Sequence, residues 1–184
     1  LATFFLASYV LGHELTHLCF VYLCMGKVTE FHFSSDGGYV VTTKTNLLIA
    51  LSPYFVPFYS MVVVAVYLLA KLVWAVFPEL GALSPQVPRL FYLLLGLTWT
   101  FHMVWTLWML PRDQPDLREH GTVFSLVVIF LGNLVMLSVL LCVTRGSDLA
   151  GNFASFGRDW LETAAWFAEH GARSAIELLE RARS

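Results

Sequence analysis

Two histidines four residues apart, His13 and His17, stand in Leu11-Gly-His-Glu-Leu-Thr-His-Leu-Cys19, with Glu14 directly after the first. On a helix that spacing puts both imidazoles on one face, where they can converge on a single ion. Glu14 then lies beside that ion and can take the proton of a water on it, which is the arrangement of metal-assisted hydrolysis. The setting sharpens the reading. From Leu1 to Met25 the other ionisable side chains are Tyr9, Cys19, Tyr22 and Cys24. Titratable groups are costly in hydrocarbon, so in a spanning helix they mark function.

A catalytic zinc takes three protein ligands and leaves one position open. His13 and His17 supply two. His17 lies nine residues before Gly26 and His102 nine before Pro111, at helix ends expected on the same side of a membrane. Both histidines should therefore sit at similar depth, ~13 Å in, which makes His102 a simple third ligand. The competing candidates are Asp113, Asp116 and His120 in the polar stretch Pro111–His120. That stretch would have to fold back into the protein, which irregular backbone does where it is buried or lines water. Spacing alone leaves His102 and this cluster both open.

The elements that must carry these residues are apolar. The chain of 184 residues is 58% hydrophobic and 13% charged, with a mean hydropathy of +0.69. A soluble domain has about 25% charge, so the composition reads as an integral, multi-pass membrane protein in a lipid bilayer. Four segments are long and apolar enough to span: 1–25, 46–77, 89–110 and 121–144. Pro53 and Pro57 make the start of the second irregular, because proline removes a donor and kinks a helix. Between the first two, Val28–Phe33 and Tyr39–Thr43 flank the turn Ser34-Ser-Asp-Gly-Gly38 and read as a β-hairpin. The hairpin is a cap on the membrane domain or an edge that pairs with an extended substrate peptide. Asn133 in the fourth segment is expected to make an interhelical hydrogen bond.

After Asp148 the pattern changes. Trp160, Ala164, Phe167, Ala168, Ala172, Ala175, Ile176 and Leu179 recur at helical spacing, opposite Arg158, Glu162, Glu169, Arg173, Glu177 and Glu180. This is an amphipathic helical tail lying on the membrane or docked on the protein, with Gly171 a point at which it can divide. The expected organisation is thus all-α: four transmembrane helices in a core of residues 1–151, a hairpin at about 27–44, and a tail at 152–184. The net charge of −2 and the absence of a Lys/Arg run exclude a nucleic-acid-binding field. Cys19, Cys24 and Cys142 lack metal spacing and read as small buried hydrophobes. The lysine and arginine balance leans towards a cytosolic tail.

A His-Glu-x-x-His in a membrane helix, then a hairpin, then a later embedded aspartate, resembles the site-2 protease family of intramembrane zinc metalloproteases. The resemblance covers roughly residues 1–144 and is closest to compact members without a PDZ domain. That family's second motif is Asn-x-x-Pro-x-x-x-x-Asp-Gly, and Pro111 and Asp116 stand at its separation. Trp108 stands where the family has Asn, and Leu117 where it has Gly. The resemblance implies zinc held by His13, His17 and Asp116, while the reading of depth and spacing keeps His102, and then His120, as alternatives to Asp116. It implies Glu14 as general base and a membrane-embedded protein or peptide as substrate, in a bacterial cell membrane. The alternatives from other classes are a non-catalytic membrane protein of the same fold that partners or regulates another protein, and a pathway protein lined by embedded histidines. The second predicts polar residues spread through several spans, and the second and fourth spans nearly lack them.

Overall fold

A computed structural model describes residues 2–80, 86–112, 114–145 and 148–183. The chain is helical apart from one two-stranded antiparallel sheet. Helix α1 (Ala2–Leu23) leads into strands β1 (Val28–Ser34) and β2 (Gly37–Thr42). Short α2 (Leu47–Leu51) follows, then α3 (Phe58–Val76), α4 (Gln86–Met109), short α5 (Pro115–Glu119), α6 (Thr122–Thr144) and α7 (Leu149–Arg183). Four of these helices are long and apolar enough to cross a membrane: α1 from Thr3, α3, α4 and α6. The chain forms two compact units, Leu1–Met136 and Leu137–Ser184, whose boundary falls inside α6, earlier than the change of composition at residue 152.

Proline decides the second segment. Asn46 caps α2 by accepting from the Ile49 amide at 2.9 Å, and α2 stops after five residues in a 3-10 turn, Ser52–Tyr54, that contains Pro53. Pro57 precedes the first residue of α3. The segment expected to run from Asn46 is therefore two helices separated by irregular backbone, because neither proline has an amide to continue the ladder. The break is buried. Leu51, Ser52 and Tyr54 are fully enclosed, and Ala50, Leu51, Tyr54, Leu117 and Ile129 form a packed cluster that ties α2, α5 and α6 together. Asn133 donates to the Tyr54 carbonyl at 3.0 Å and to the Ile129 carbonyl of its own helix at 2.9 Å, so its expected bond between segments joins α6 to the 3-10 turn of the second apolar segment.

The hairpin is tighter than its sequence suggests. Pairing runs through Ser34↔Gly37, so the connection is Ser35-Asp36 rather than a five-residue turn. Gly37 has φ 144, a backbone conformation that glycine adopts without a steric penalty, and this lets the strand begin directly after two residues. A bulge lies between Val28 and Glu30, and His32 stacks on Tyr39 across the ladder at 5.5 Å. In the second unit, α7 is continuous through Gly171. Trp160, Leu161, Trp166 and Phe167 on it are exposed, and Asn152 donates to the Cys142 carbonyl at 3.2 Å.

Candidate metal centre

Helix α1 presents His13 and His17 one turn apart, their ring centroids separated by 4.9 Å. The Nδ1 of His17 lies 2.9 Å from the Ile49 carbonyl oxygen and must carry the proton in that bond, since a carbonyl only accepts. This bond follows from the broken second segment. In an uninterrupted helix the Ile49 carbonyl would accept from the amide four residues on, but that residue is Pro53, which has none. The freed carbonyl orients His17 and leaves its Nε2 lone pair directed at the site, the outer-shell support seen at metal-ligating histidines. Restoring the amide with Pro53→Ala should let the helix compete for Ile49 and loosen His17. Zinc affinity measured by chelator competition should fall about tenfold.

Asp116 arrives from the other end of the sequence. Pro115 opens α5, whose next residue but one, Leu117, is buried in the packed cluster, and the Leu117 carbonyl accepts from Ser125 Oγ at 3.1 Å. Anchored so, Asp116 places Oδ2 3.5 Å from His17 Nε2 and 3.7 Å from His13 Nε2. Two atoms each bound to zinc at tetrahedral angles stand about 3.4 Å apart, so both spacings are those of ligands sharing one ion. One ligand atom from each of the three residues lies within 4.8 Å of the other two. Burial alone would raise the Asp116 carboxyl, but the two imidazoles outweigh it and hold it below the usual carboxylate range, so it is ionised and fit to ligate.

Tyr54 supports Asp116. Its hydroxyl lies 3.0 Å from Asp116 Oδ2 and 3.2 Å from Gln114 Oε1, and its one hydrogen is shared between these two acceptors. Burial and the neighbouring carboxylate push the phenol up, so it stays protonated as a donor. The ring also meets His13 edge-on at 5.0 Å.

Glu14, buried, shares with His13, His17 and Asp116 a cavity of about 340 Å³, walled also by β2, Thr45, Gln114 and Glu119. The hairpin and the Pro115–Glu119 segment thus meet at one end of α1, where Thr45 Oγ1 donates to Glu119 Oε1 at 3.2 Å. Gly38 of β2 lies directly against Glu14: a Cβ there would stand 2.5 Å from Glu14 Cγ and 2.9 Å from Oε1. Gly38→Val should therefore displace the carboxylate while sparing the three ligand atoms. The expected result is an unchanged affinity for an added divalent ion, read by chelator competition, because the three ligand atoms stay in place.

The structure brings together His13, Glu14, His17 and Asp116. His102 is buried behind His13 and is outside the ligand group, and so is His120; Asp113 lies outside the described residues. The threonines one helical turn to either side of His102 have partners of their own, Thr98 with Ser60 Oγ at 3.0 Å and Thr106 with Tyr9 OH at 3.4 Å. Asp116 sits in the first turn of α5. Sequence reasoning missed Tyr54, the Ile49 carbonyl, Gln114 and Gly38. The Ser52-Pro53 kink was the available signal for the first two, since a broken membrane helix frees backbone groups that something must use.

Fold and site together define a helical chain with four helices long and apolar enough to cross a membrane and a half-buried His-His-Asp group that could hold a metal ion. No family model matches the chain, and no curated protein or solved structure matches it either.

Proposed function

We propose that the chain is a multi-pass intramembrane zinc metalloprotease of the site-2 protease type, hydrolysing peptide bonds of membrane-embedded substrates. The observation that supports it most is the spacing of His13 Nε2, His17 Nε2 and Asp116 Oδ2 around one point beside Glu14. Two imidazoles and a carboxylate suit zinc with one open position, and the cavity reaches that side. A bound zinc supplies Lewis acidity, polarising a scissile carbonyl and lowering the pKa of the attacking water.

The chain's own groups do the rest. Glu14 takes the proton of the attacking water and returns it to the leaving amine. Tyr54 and Ile49 hold Asp116 and His17 in place through their hydrogen bonds. Gly38, Tyr39, Val40 and Thr42 of β2 line the cavity, and an extended substrate segment adds to that strand by backbone pairing. Pairing solves a chemical problem, because a helical substrate shields its own peptide bonds and must unwind to be cut. Helix α7 lies on the bilayer surface with its uncovered Trp160, Leu161 and Phe167 in the interface.

The test is metal removal from protein reconstituted in lipid vesicles with a panel of single-span membrane peptides. Cleavage should cease on stripping with a chelator and return on adding zinc. Cleavage that persists in metal-free protein overturns the proposal. A protein that binds zinc and cuts nothing in the panel returns the non-catalytic partner or regulator reading.

A further inference from the structure

Behind the cluster, away from Asp116, lies a second and much smaller cavity of about 10 Å³, the room one water occupies. Tyr9, Gly12, His13, Thr16, Tyr59 and His102 are among its walls. His13 belongs to both cavities: its Nε2 faces Asp116, and its Nδ1, on the ring's other edge, is buried without a partner among the described residues. His102 Nε2 is buried without one as well. Buried polar nitrogens in native proteins are almost always satisfied, so two of them bordering one water-sized space belong to one arrangement.

The surrounding hydroxyls narrow what that arrangement is. Thr16 donates to the Gly12 carbonyl at 2.8 Å and Tyr59 to the Ser8 carbonyl at 2.6 Å, while Tyr9 pairs with Thr106. The hydrogens of Thr16 and Tyr59 are directed elsewhere, Tyr9 and Thr106 share one between them, and none of these hydroxyls is hydrogen-bonded to His102 Nε2. The Tyr54 backbone interacts with the His102 ring, and with Nε2 unpartnered among the described residues the ring nitrogen turned to that backbone is Nδ1, which faces it with a proton. A protonated Nδ1 makes His102 Nε2 an acceptor. A metal-ligating His13, bound through Nε2, makes its own Nδ1 a donor. Donor and acceptor face a shared space and need a group that is both.

We propose that His102 is a positioning residue that holds His13 in its ligating orientation through one buried water between His13 Nδ1 and His102 Nε2. The water accepts from His13 and donates to His102, and its second hydrogen reaches the Thr16 hydroxyl oxygen. The inference rests on the metal-centre reading above and extends it: His13 receives through water the support that His17 receives directly from Ile49.

His102→Gln and His102→Asn test it, because a glutamine amide reaches the position of Nε2 while an asparagine amide reaches only that of Nδ1. Zinc affinity of the purified full chain is measured by chelator competition, and the visible spectrum of the cobalt-loaded protein reports ligand geometry. H102N should weaken zinc 10–100-fold and shift the cobalt bands, whereas H102Q should stay within about threefold of wild type. Equal affinities for the two variants, or H102N tighter than H102Q, overturn the water link, since a role carried by the Tyr54 bond alone would spare asparagine. Wild-type protein that takes up no zinc overturns the metal centre itself. Wild-type uptake with both variants unchanged overturns this inference and leaves the centre standing.

Discussion

Glu14→Gln is expected to leave zinc bound and to abolish proteolysis. Glutamine has the shape of glutamate, so it fits between α1 and the Gly38 backbone, where a Cβ would already meet the side chain at 2.5 Å. Glu14 is outside the His13, His17 and Asp116 ligand group, so the ion keeps its three protein ligands. What goes is the proton acceptor beside the attacking water. Loss of a positioned general base costs about 10²–10⁴ in rate. Paired measurements on reconstituted protein, zinc per chain and substrate cut per hour, check both halves. Undiminished cleavage by E14Q removes Glu14 from the chemistry.

Asp116→Ala is the second large effect and acts on the other half of the site. Its carboxylate stands 3.5 and 3.7 Å from the two imidazole nitrogens, and without it only two ligands remain. Zinc affinity should fall by more than about 100-fold, beyond the 10–100-fold range of residues that only orient a ligand. Folding should survive, because the neighbouring Leu117, buried in the cluster with Tyr54 and Ile129, anchors α5 independently of the carboxylate. Freed of its acceptor, Tyr54 keeps Gln114 as partner at 3.2 Å. Equilibrium zinc competition is the measurement. An affinity unchanged in D116A, with loss in a His102 variant exceeding it, would move the third ligand to His102.

What could be read from the sequence was local. The pair His13 and His17 shares a face because helical periodicity makes it so, whatever surrounds it. Apolar runs marked the long helices for the same reason. Asp116 lies 99 positions beyond His17 in the chain, and its approach depends on Leu117 finding a buried seat, which no spacing rule expresses. Depth along the helices put His102 near the histidine pair; it borders His13, but on the side away from the acid. Depth along an axis carries no information about rotation around it. Pro53 announced a kink, yet its use lies in the Ile49 carbonyl it frees, and that needed the position of His17 to become visible. Leu117, which departs from the resembled motif, packs in the core, and Trp108, which also departs from it, lies half-exposed on α4 while Gln114 lines the cavity instead.

The contact between Gly38 and Glu14 fixes a ruler. With the base pressed against the ribbon's backbone, its height above the outer edge of β2 is set by main chain, not by any side chain. A peptide laid along that edge is therefore measured in strand repeats from the ribbon. Under the proposed function, the bond presented to Glu14 would be chosen by where the peptide sits in register, and neighbouring residue identities would matter only through how well they let it lie flat. Such an enzyme would tolerate many sequences and forgive few offsets.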